Sequence, residues 1–317
     1  MNLSAIGIPS VDLKQFTQGT IEEKQAFVAA LGKAYQEIGF VAVANHGIEQ
    51  AILDELYTEV ERFFSLPESV KKQYEDPALK GQRGYISFGK EHAKNSNEGD
   101  LKEFWHFGQE VDDIEVAQKL NYPDNIICKE LPRFNIIGNQ TYRALENVGR
   151  EMLKAIALFL NLPETYFEEF VVNGNSILRP IHYPPITSEP KNAVRAGEYE
   201  DINLITLLIG ASADGLQVLN KQGEWVSVTA LPGHIVVNVG DMLQRLTNNQ
   251  LKSTTHRVIN PPREKWNTSR YSIPFFLHPV SNMPLNCLVQ CVKDVKHYED
   301  ITAGEFLMQR LREIGLA

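Results

Sequence analysis

Three short polar motifs divide the stretch between residues 199 and 272: Tyr199-Glu200-Asp201, His256-Arg257-Val258 and Arg270-Tyr271-Ser272. Around them, short runs rich in Val, Ile and Leu alternate with period two, and turn signals such as Pro184-Pro185 separate the runs. The strands that this alternation predicts are 177–183, 204–209, 215–219, 224–228, 234–239, 255–259 and 271–277. Many short strands at this spacing predict a β-sandwich or a barrel.

Helical patterns flank this predicted β core. Thr20-Ile21-Glu22-Glu23 is a capping-box sequence, and the apolar stripe that follows predicts a helix ending near Ile38. The longest helical pattern covers 133–160, and we expect the sheet to rest on it. A second capping box begins at Thr302 and predicts a C-terminal helix within 301–315.

The chain contains no internal repeat and no low-complexity linker. We therefore predict a single domain over residues 1–317 that is mainly β. A helical N-terminal region, 1–120, contains short strands near 8–13 and 40–44 and wraps around the β core at 176–280. The predicted C-terminal helix completes the domain.

Residues 76 to 110 show neither the helical nor the strand period. The segment is rich in Gly, Lys, Asn and Asp, but Tyr85, Phe88, Phe104 and Trp105 argue against disorder. We interpret it as a loop or lid on the substrate side. A surface segment that merely packs on the core agrees equally well with the pattern.

Composition narrows the class of protein. With 317 residues, 43% apolar content and a net charge of −9, the chain resembles an ordinary globular protein and lacks the basic face that nucleic acid or an anionic membrane would require. Three cysteines are too few for a disulfide framework and indicate a reducing compartment. No signal peptide and no apolar run of roughly 20 residues is present, so we predict a cytoplasmic protein.

Asp201 and His256 are candidate metal ligands. If Tyr199 to Asp201 is extended, both side chains face the same way, and a distant His256 could complete a facial set of three with open positions. An Asp facing a barrel interior would be a buried unpaired charge unless a cation met it. Read singly, Asp201 could cap a turn and His256 could be a core histidine. The combination with Arg270 and Ser272, which could hold a carboxylate, favours a site.

The spacing of these motifs resembles that of iron(II)/2-oxoglutarate-dependent oxygenases of the isopenicillin N synthase-like family. That family has His-x-Asp, a later His and then Arg-x-Ser. The resemblance covers nearly the whole chain. It is carried by Ile8 to Leu13, Val43 to Ile48, His182-Tyr183-Pro184-Pro185, Gly215 to Val218, Gly240 to Gln244, Thr255 to Val258 and the Arg-x-Ser.

The resemblance implies a double-stranded β-helix (jelly roll, cupin-like) core, with Fe(II), 2-oxoglutarate as co-substrate and O2. By position, Asp201 and His256 would be iron ligands, and Arg270 and Ser272 would bind the distal carboxylate of 2-oxoglutarate. A planar guanidinium suits a carboxylate because it makes two parallel hydrogen bonds. An internal ion pair is the alternative role for Arg270. Tyr183 matches a tyrosine that can bond the co-substrate, and packing is its alternative role.

Tyr199 departs from the family pattern, because it stands where the first histidine ligand is expected. Three interpretations are open. Tyr199 could ligate iron as a phenolate, it could turn away and leave Asp201, His256 and water, or the site could be disabled in a binding protein or an engineered variant. A surrogate ligand such as His46 or His182 is a fourth alternative that we do not favour. Since Arg-x-Ser is intact, we favour a metal site that retains activity.

The sequence thus predicts a 2-oxoglutarate-dependent dioxygenase that hydroxylates, desaturates or cyclises a small molecule. A non-catalytic binding protein and an oxidase that needs no 2-oxoglutarate are the alternatives. Candidates for contacting the substrate are Arg83, Tyr85, Phe104, His106 and Lys94. A carboxylate-bearing substrate such as an amino acid would suit Arg83 or Lys94.

Overall fold

The computed structural model of the chain describes residues 8–91, 99–190, 193–210, 215–228 and 231–313. Within these ranges the α-helices are α1 (Leu13–Gln18), α2 (Ile21–Glu37), α3 (Gln50–Phe64), α4 (Glu68–Lys71), α5 (Ile114–Leu120), α6 (Pro132–Phe159), α7 (Glu168–Val171), α8 (Asp241–Leu246) and α9 (Ala303–Glu313). The strands are β1 (Ser10–Asp12), β2 (Phe40–Ala44), β3 (Gly84–Ile86), β4 (Glu103–Gly108), β5 (Ile177–Leu178), β6 (Ile181–Tyr183), β7 (Ala196–Tyr199), β8 (Ile205–Ile209), β9 (Leu216–Leu219), β10 (Trp225–Ser227), β11 (His234–Val239), β12 (His256–Val258) and β13 (Arg270–Leu277).

The described strands form two sheets. The larger has nine strands in the order β1-β2-β11-β8-β13-β5-β4-β3, and β6 pairs with both β13 and β4. The smaller has four strands in the order β10-β9-β12-β7. Neighbouring strands are antiparallel except β1 and β2, which are parallel. Two sheets joined in this way are the expected jelly-roll core.

Helix α6 supports the larger sheet, as its apolar period predicts. Leu145, Met152 and Ile156 are fully buried on its core side and belong to one apolar cluster with Leu207 of β8 and Phe275 of β13. Helices α2 and α3 pack against α6. None of the helices in the described part of the chain is long and apolar enough to cross a membrane.

Local sequence signals fix the ends of several elements. Thr20 and Glu23 form both halves of the capping box that begins α2, and Thr302 and Glu305 exchange the same bonds before α9. The predicted strand 177–183 is interrupted between β5 and β6, where Pro180 lacks the backbone N–H that a continuous ladder needs. The other predicted strands of the β core are present with slightly shifted ends.

The segment 76–110 is not simply a loop, and the N-terminal region is not simply helical. Strands β3 and β4 lie in this segment, and with β1 and β2 they join the larger sheet. All six residues of β4 are buried. A strand that is covered on both faces loses the alternation that reveals strands in a sequence, and this one also contains the charged Glu103. Because this alternation is missing, the prediction of a loop for the segment was wrong where β3 and β4 lie.

Candidate active site

Asp201 and His256 lie side by side in the core of the jelly roll. His256 is the first residue of β12, and Asp201 follows the end of β7; the side chain of Asp201 is 3% exposed and that of His256 is 5% exposed. Asp201 Oδ1 is 3.7 Å from His256 Nε2. His256 Nδ1 is 3.0 Å from the carbonyl oxygen of Thr254. A carbonyl can only accept, so Nδ1 carries a hydrogen, and whenever the ring is neutral its Nε2 presents a lone pair to the carboxylate.

The second oxygen of Asp201 is held by two donors. Thr206 Oγ1 donates to Asp201 Oδ2 over 2.6 Å, and Asn238 Nδ2 donates to the same oxygen over 2.8 Å. Thr206 is on β8 and Asn238 is on β11, where the two residues are register partners. The larger sheet thus orients the carboxylate so that its remaining oxygen faces His256 on the smaller sheet.

Tyr199 lies next to His256, on the neighbouring strand β7. It is directly opposite His256 in the β7–β12 ladder, and the two ring centroids are 4.2 Å apart. The residue as a whole is 37% exposed, yet its hydroxyl end is deeply buried. Burial, followed by the charge of Asp201, raises the pKa of the Tyr199 hydroxyl well above 10 in the absence of a cation. The strand ends at Tyr199, so Glu200 and Asp201 lie just beyond the β7–β12 ladder.

The two alternative histidines have other hydrogen-bond partners. His182 Nδ1 is 2.7 Å from Glu103 Oε1 and its Nε2 is 3.1 Å from Ser269 Oγ. His46 Nδ1 accepts from the backbone N–H of Ile48. Within the described ranges, no group of three or more His, Cys, Asp and Glu side chains is placed to hold a metal ion. The ring that lies against His256 in the described structure is that of Tyr199.

Arg270, Ser272 and Tyr183 meet on neighbouring strands of the larger sheet. Arg270 is 1% exposed and is the register partner of Tyr183 across β13 and β6. Its Cζ lies 5.0 Å from the centre of the Tyr183 ring. Ser272 is two residues further along β13, is also buried, and faces the same side as Arg270. The structure brings together the three residues that the sequence suggested for the co-substrate.

A cavity of about 550 Å³ opens next to Asp201. Its walls come from both sheets, from the segment before β4 and from the C-terminal helix α9. The lining residues are Lys80, Gly81, Gln82, Glu91, Asp100, Lys102, His106, Asn175, Ile177, Arg179, Ile181, Tyr183, Gly197, Glu198, Tyr199, Glu200, Asp201, Ile202, Thr255, Phe276, His278, Leu307, Arg310 and Leu311. The volume is that of a small-molecule site.

A closed network of charges forms one wall of this cavity. Lys102 Nζ lies 2.8 Å from both Glu91 Oε2 and Asp100 Oδ2. Arg179 Nη1 lies 3.3 Å from Glu91 Oε1, and Arg179 Nε donates to His106 Nε2 over 2.5 Å. Burial and then Arg179 lower the pKa of His106 well below 6.5, so this ring is neutral. The network holds the Arg179 guanidinium at the cavity surface.

Three of the residues suggested for the substrate do not line this cavity. Arg83 is 1% exposed and packs against the backbone of Gly108. The Tyr85 hydroxyl donates to buried Glu103, and the Phe104 ring lies 4.4 Å from Arg179 Cζ, behind the wall. Their roles toward the substrate remain predictions.

His106 is the one suggested substrate residue in the described chain that does line the cavity, and Lys94 lies outside the described residues. The sequence pattern did not reveal Arg179, Glu91 and Lys102, nor the Thr206 and Asn238 contacts to Asp201. Arg179 precedes a proline at a strand break, which is a weak signal. Glu91, Lys102, Thr206 and Asn238 carry no such signal.

Comparison with known proteins identifies the family of this chain. Residues 174–279 match the family model of the 2OG-Fe(II) oxygenase superfamily. Residues 8–130 match that of the non-haem dioxygenase in morphine synthesis N-terminal region. A proline hydroxylase of Petromyces alliaceus is 31% identical, with 96% of this chain and 98% of the relative covered.

Solved structures extend the likeness to the whole fold. A 2OG-Fe(II) oxygenase family protein from Caulobacter crescentus is 41% identical, covers 97% of this chain and 99% of its own, and superposes with a TM-score of 0.87. A Neurospora crassa protein solved in complex with alpha-KG and thymine is 29% identical over 98% of both chains, with a TM-score of 0.85. The chain thus belongs to the 2OG-Fe(II) oxygenase superfamily, as a dioxygenase that uses Fe(II), 2-oxoglutarate and O2 to oxidise a small molecule.

Proposed function

We propose that Asp201 and His256 bind the Fe(II) of this oxygenase, with Tyr199 as the third ligand. We also propose that Arg270, Ser272 and Tyr183 bind 2-oxoglutarate. The observation that carries the metal assignment is the 3.7 Å approach of Asp201 Oδ1 to His256 Nε2. Two atoms that both present lone pairs repel each other unless a cation or a proton lies between them. Carboxylate and imidazole suit iron, so this donor pair fits the metal.

The co-substrate assignment rests on the charge and position of Arg270. Its guanidinium is buried, and the distal carboxylate of 2-oxoglutarate can accept two parallel hydrogen bonds from such a group. Ser272, on the same strand face, adds a hydroxyl donor, and the Tyr183 ring packs against the guanidinium. In these roles the three residues bind and orient the co-substrate.

Fe(II) with bound 2-oxoglutarate supplies the activation of O2, with the co-substrate leaving as succinate and CO2. The chain's own contribution is to orient Asp201 through Thr206 and Asn238 and to hold the substrate in the cavity beside it. Apolar Ile177, Ile181 and Phe276 line part of the same cavity.

We propose a free small molecule as substrate, hydroxylated, desaturated or cyclised, rather than nucleic acid, because the chain carries a net charge of −9. One relative is named a proline hydroxylase, and a structural neighbour was solved in complex with thymine. Both support a small cyclic substrate for this chain, and the first supports an amino-acid-like substrate. The cytoplasmic location and the single-domain organisation remain predictions.

Tyr199 decides how the iron site behaves. As a phenolate it would be a hard anionic donor that favours Fe(III), and a bound cation would have to lower the raised pKa of its hydroxyl. We propose ligation by Tyr199 in preference to a turned-away ring, because the strand register seats it against His256.

The visible spectrum tests this assignment. Fe(II) and then 2-oxoglutarate are added without oxygen to the native chain, Tyr199→His, His256→Gln and, as a matched control, His46→Gln. We expect a weak charge-transfer band that needs both additions in the native chain and the control, and its loss in His256→Gln. Air should then produce a strong phenolate-to-Fe(III) band that Tyr199→His lacks.

Each contrary result has a distinct meaning. If the native chain binds no iron while Tyr199→His does, Tyr199 disables the site and the proposal of an active iron site is wrong. If iron binds without the oxidised phenolate band, Tyr199 is not a ligand. If the substrate is oxidised with no consumption of 2-oxoglutarate, the co-substrate assignment of Arg270 and Ser272 is wrong.

A further inference from the structure

A second fully buried arginine lies at the end of the jelly roll where Arg270 is found. Arg195 immediately precedes β7 and is 1% exposed. It lies four residues before Tyr199, so in an extended segment the two side chains share a face of the strand. The intervening residue of that face is Gly197, which has no side chain to separate them.

Arg195 and Arg270 lie against the same aromatic ring. Arg195 Cζ is 5.9 Å and Arg270 Cζ is 5.0 Å from the centre of the Tyr183 ring, so the two carbons cannot be more than about 11 Å apart. Burial and then the neighbouring Arg270 charge lower the pKa of Arg195 to about 10. The group still carries its proton at neutral pH. Two like charges therefore share a dry region, at a cost in stability.

Arg195 has few polar contacts within the described chain. Arg195 Nη2 donates to the carbonyl oxygen of Thr268 over 3.0 Å, and its Nε is buried without a hydrogen-bond partner among the described residues. No carboxylate in those parts of the chain forms an ion pair with it. A buried guanidinium of this kind is expected to meet an anion that the chain itself does not provide.

We propose that Arg195 is a second cationic contact for the distal carboxylate of 2-oxoglutarate, acting with Arg270 beside the Tyr183 ring. The inference rests on the proposed function, which places that carboxylate at Arg270. Both oxygens of a carboxylate can accept from two guanidinium groups at once. Arg195 is then a binding residue for the co-substrate, and the bound carboxylate relieves the repulsion between the two arginines.

Two substitutions separate charge from scaffolding. Arg195→Gln keeps an N–H donor for the Thr268 carbonyl and removes the charge, whereas Arg195→Lys keeps the charge and loses the guanidinium fork. The dissociation constant of 2-oxoglutarate is measured calorimetrically on the Fe(II)-loaded chain without oxygen. We expect Arg195→Gln to weaken binding roughly tenfold or more, and Arg195→Lys to stay within a few-fold of the native value. Equal losses in both variants, or the reverse order, would overturn the proposal.

The 5-methyl ester of 2-oxoglutarate locates the contact on the ligand. This ester has no distal charge, so Arg195→Gln should leave its dissociation constant unchanged while weakening that of the acid. An equal effect on acid and ester would show that Arg195 only supports the fold and would overturn the proposal. If Arg195→Gln does not fold, Arg195→Met, which fills a similar space, takes its place.

Arg270→Gln separates this inference from the proposed function. If Arg270→Gln weakens 2-oxoglutarate binding and Arg195→Gln does not, the inference on Arg195 fails and the co-substrate site stands. If neither substitution weakens binding, the co-substrate site itself is wrongly assigned. We expect Arg270→Gln and Arg195→Gln each to weaken 2-oxoglutarate binding and Arg195→Lys to retain it.

Discussion

Two groups of buried polar side chains reach the same cavity, one through Glu91, Asp100 and Lys102 and the other through Asp201, and they differ in how their charges are balanced. In the first group, Lys102 lies 2.8 Å from both Glu91 and Asp100, so positive and negative charges meet within the chain. In the second group, Asp201 Oδ1 lies 3.7 Å from His256 Nε2, and no Lys or Arg of the described chain forms an ion pair with this carboxylate.

The difference separates architecture from function. A network whose charges balance needs nothing further, so its residues hold β4 and the cavity wall in place. A carboxylate held by Thr206 and Asn238 and directed at a ring nitrogen needs a cation or a proton between the two groups, and we propose that the metal supplies this charge. We therefore expect substitutions in the second group to affect metal binding and activity, and substitutions in the first to affect stability.

The largest effect is expected for Asp201→Asn. The new amide would donate to His256 Nε2 and close the gap without a metal, while the anionic ligand is lost. We expect turnover of 2-oxoglutarate to succinate to fall on the order of a thousandfold, about 4 kcal/mol in barrier terms. Metal titration should show that binding is lost.

The stability of metal-free Asp201→Asn serves as the control for this variant. Because an acceptor pair becomes a hydrogen bond, the metal-free protein should be as stable as the native chain or more stable by up to ~1 kcal/mol. Thermal unfolding of both metal-free proteins measures this difference. Turnover within tenfold of native would contradict the assignment of Asp201 as a ligand.

Lys102→Met should produce the next largest effect, on stability. It leaves Glu91 and Asp100 as buried carboxylates without their shared cation, which costs about 3–5 kcal/mol. Urea unfolding measures the loss. Lys72→Met is a matched control, because the Lys72–Glu68 pair is exposed and should change stability by less than about 1 kcal/mol. Equal effects of the two substitutions would remove the distinction between the groups.

The stability difference between native chain and Lys102→Met should depend on pH. Burial alone would raise the pKa of Glu91, but Lys102 and Arg179 lower it well below 4.5. This contribution is therefore present above about pH 4.5 and is lost as the pH falls. Burial alone would lower the pKa of Lys102, but Glu91 and Asp100 raise it above 10.5, so its contribution is lost at higher pH. Urea midpoints at pH 4 and pH 7 should differ accordingly.

Asn238→Ala should have a smaller effect than Asp201→Asn and Lys102→Met. It removes one of the two donors to Asp201 Oδ2 and leaves the ligand in place with more freedom. We expect metal affinity to fall about 10–100-fold, as is usual for residues that orient a ligand. Metal titration monitors the change, and an unchanged affinity would show that Thr206 alone fixes the carboxylate.

The segment that precedes β4 shows where sequence reading fails. Lys102 and Glu103 look like surface residues, yet Lys102 bonds Glu91 and Asp100, and Glu103 accepts from Lys71 and Tyr85. Strand β4 is buried on both faces, so neither alternation nor polarity reveals it. The partners that balance these charges lie in other elements, and a sequence pattern does not display such pairings.

The sequence by itself determined what depends on neighbouring residues. The capping boxes before α2 and α9, the period-two runs of the β core and the family motifs with Asp201 and His256 are all local patterns, and they predicted the fold and the oxygenase class correctly.

Only the tertiary structure decided how distant residues face one another. Strand register places Tyr199 against His256 and Arg270 against Tyr183, and it brings Thr206 and Asn238 to the same oxygen of Asp201. The tertiary structure also brings Arg195, just before β7 of the smaller sheet, and Arg270, on β13 of the larger sheet, to the same Tyr183 ring. Register results from packing across the whole sheet, because a slip of one residue would turn every side chain of a strand to the opposite face.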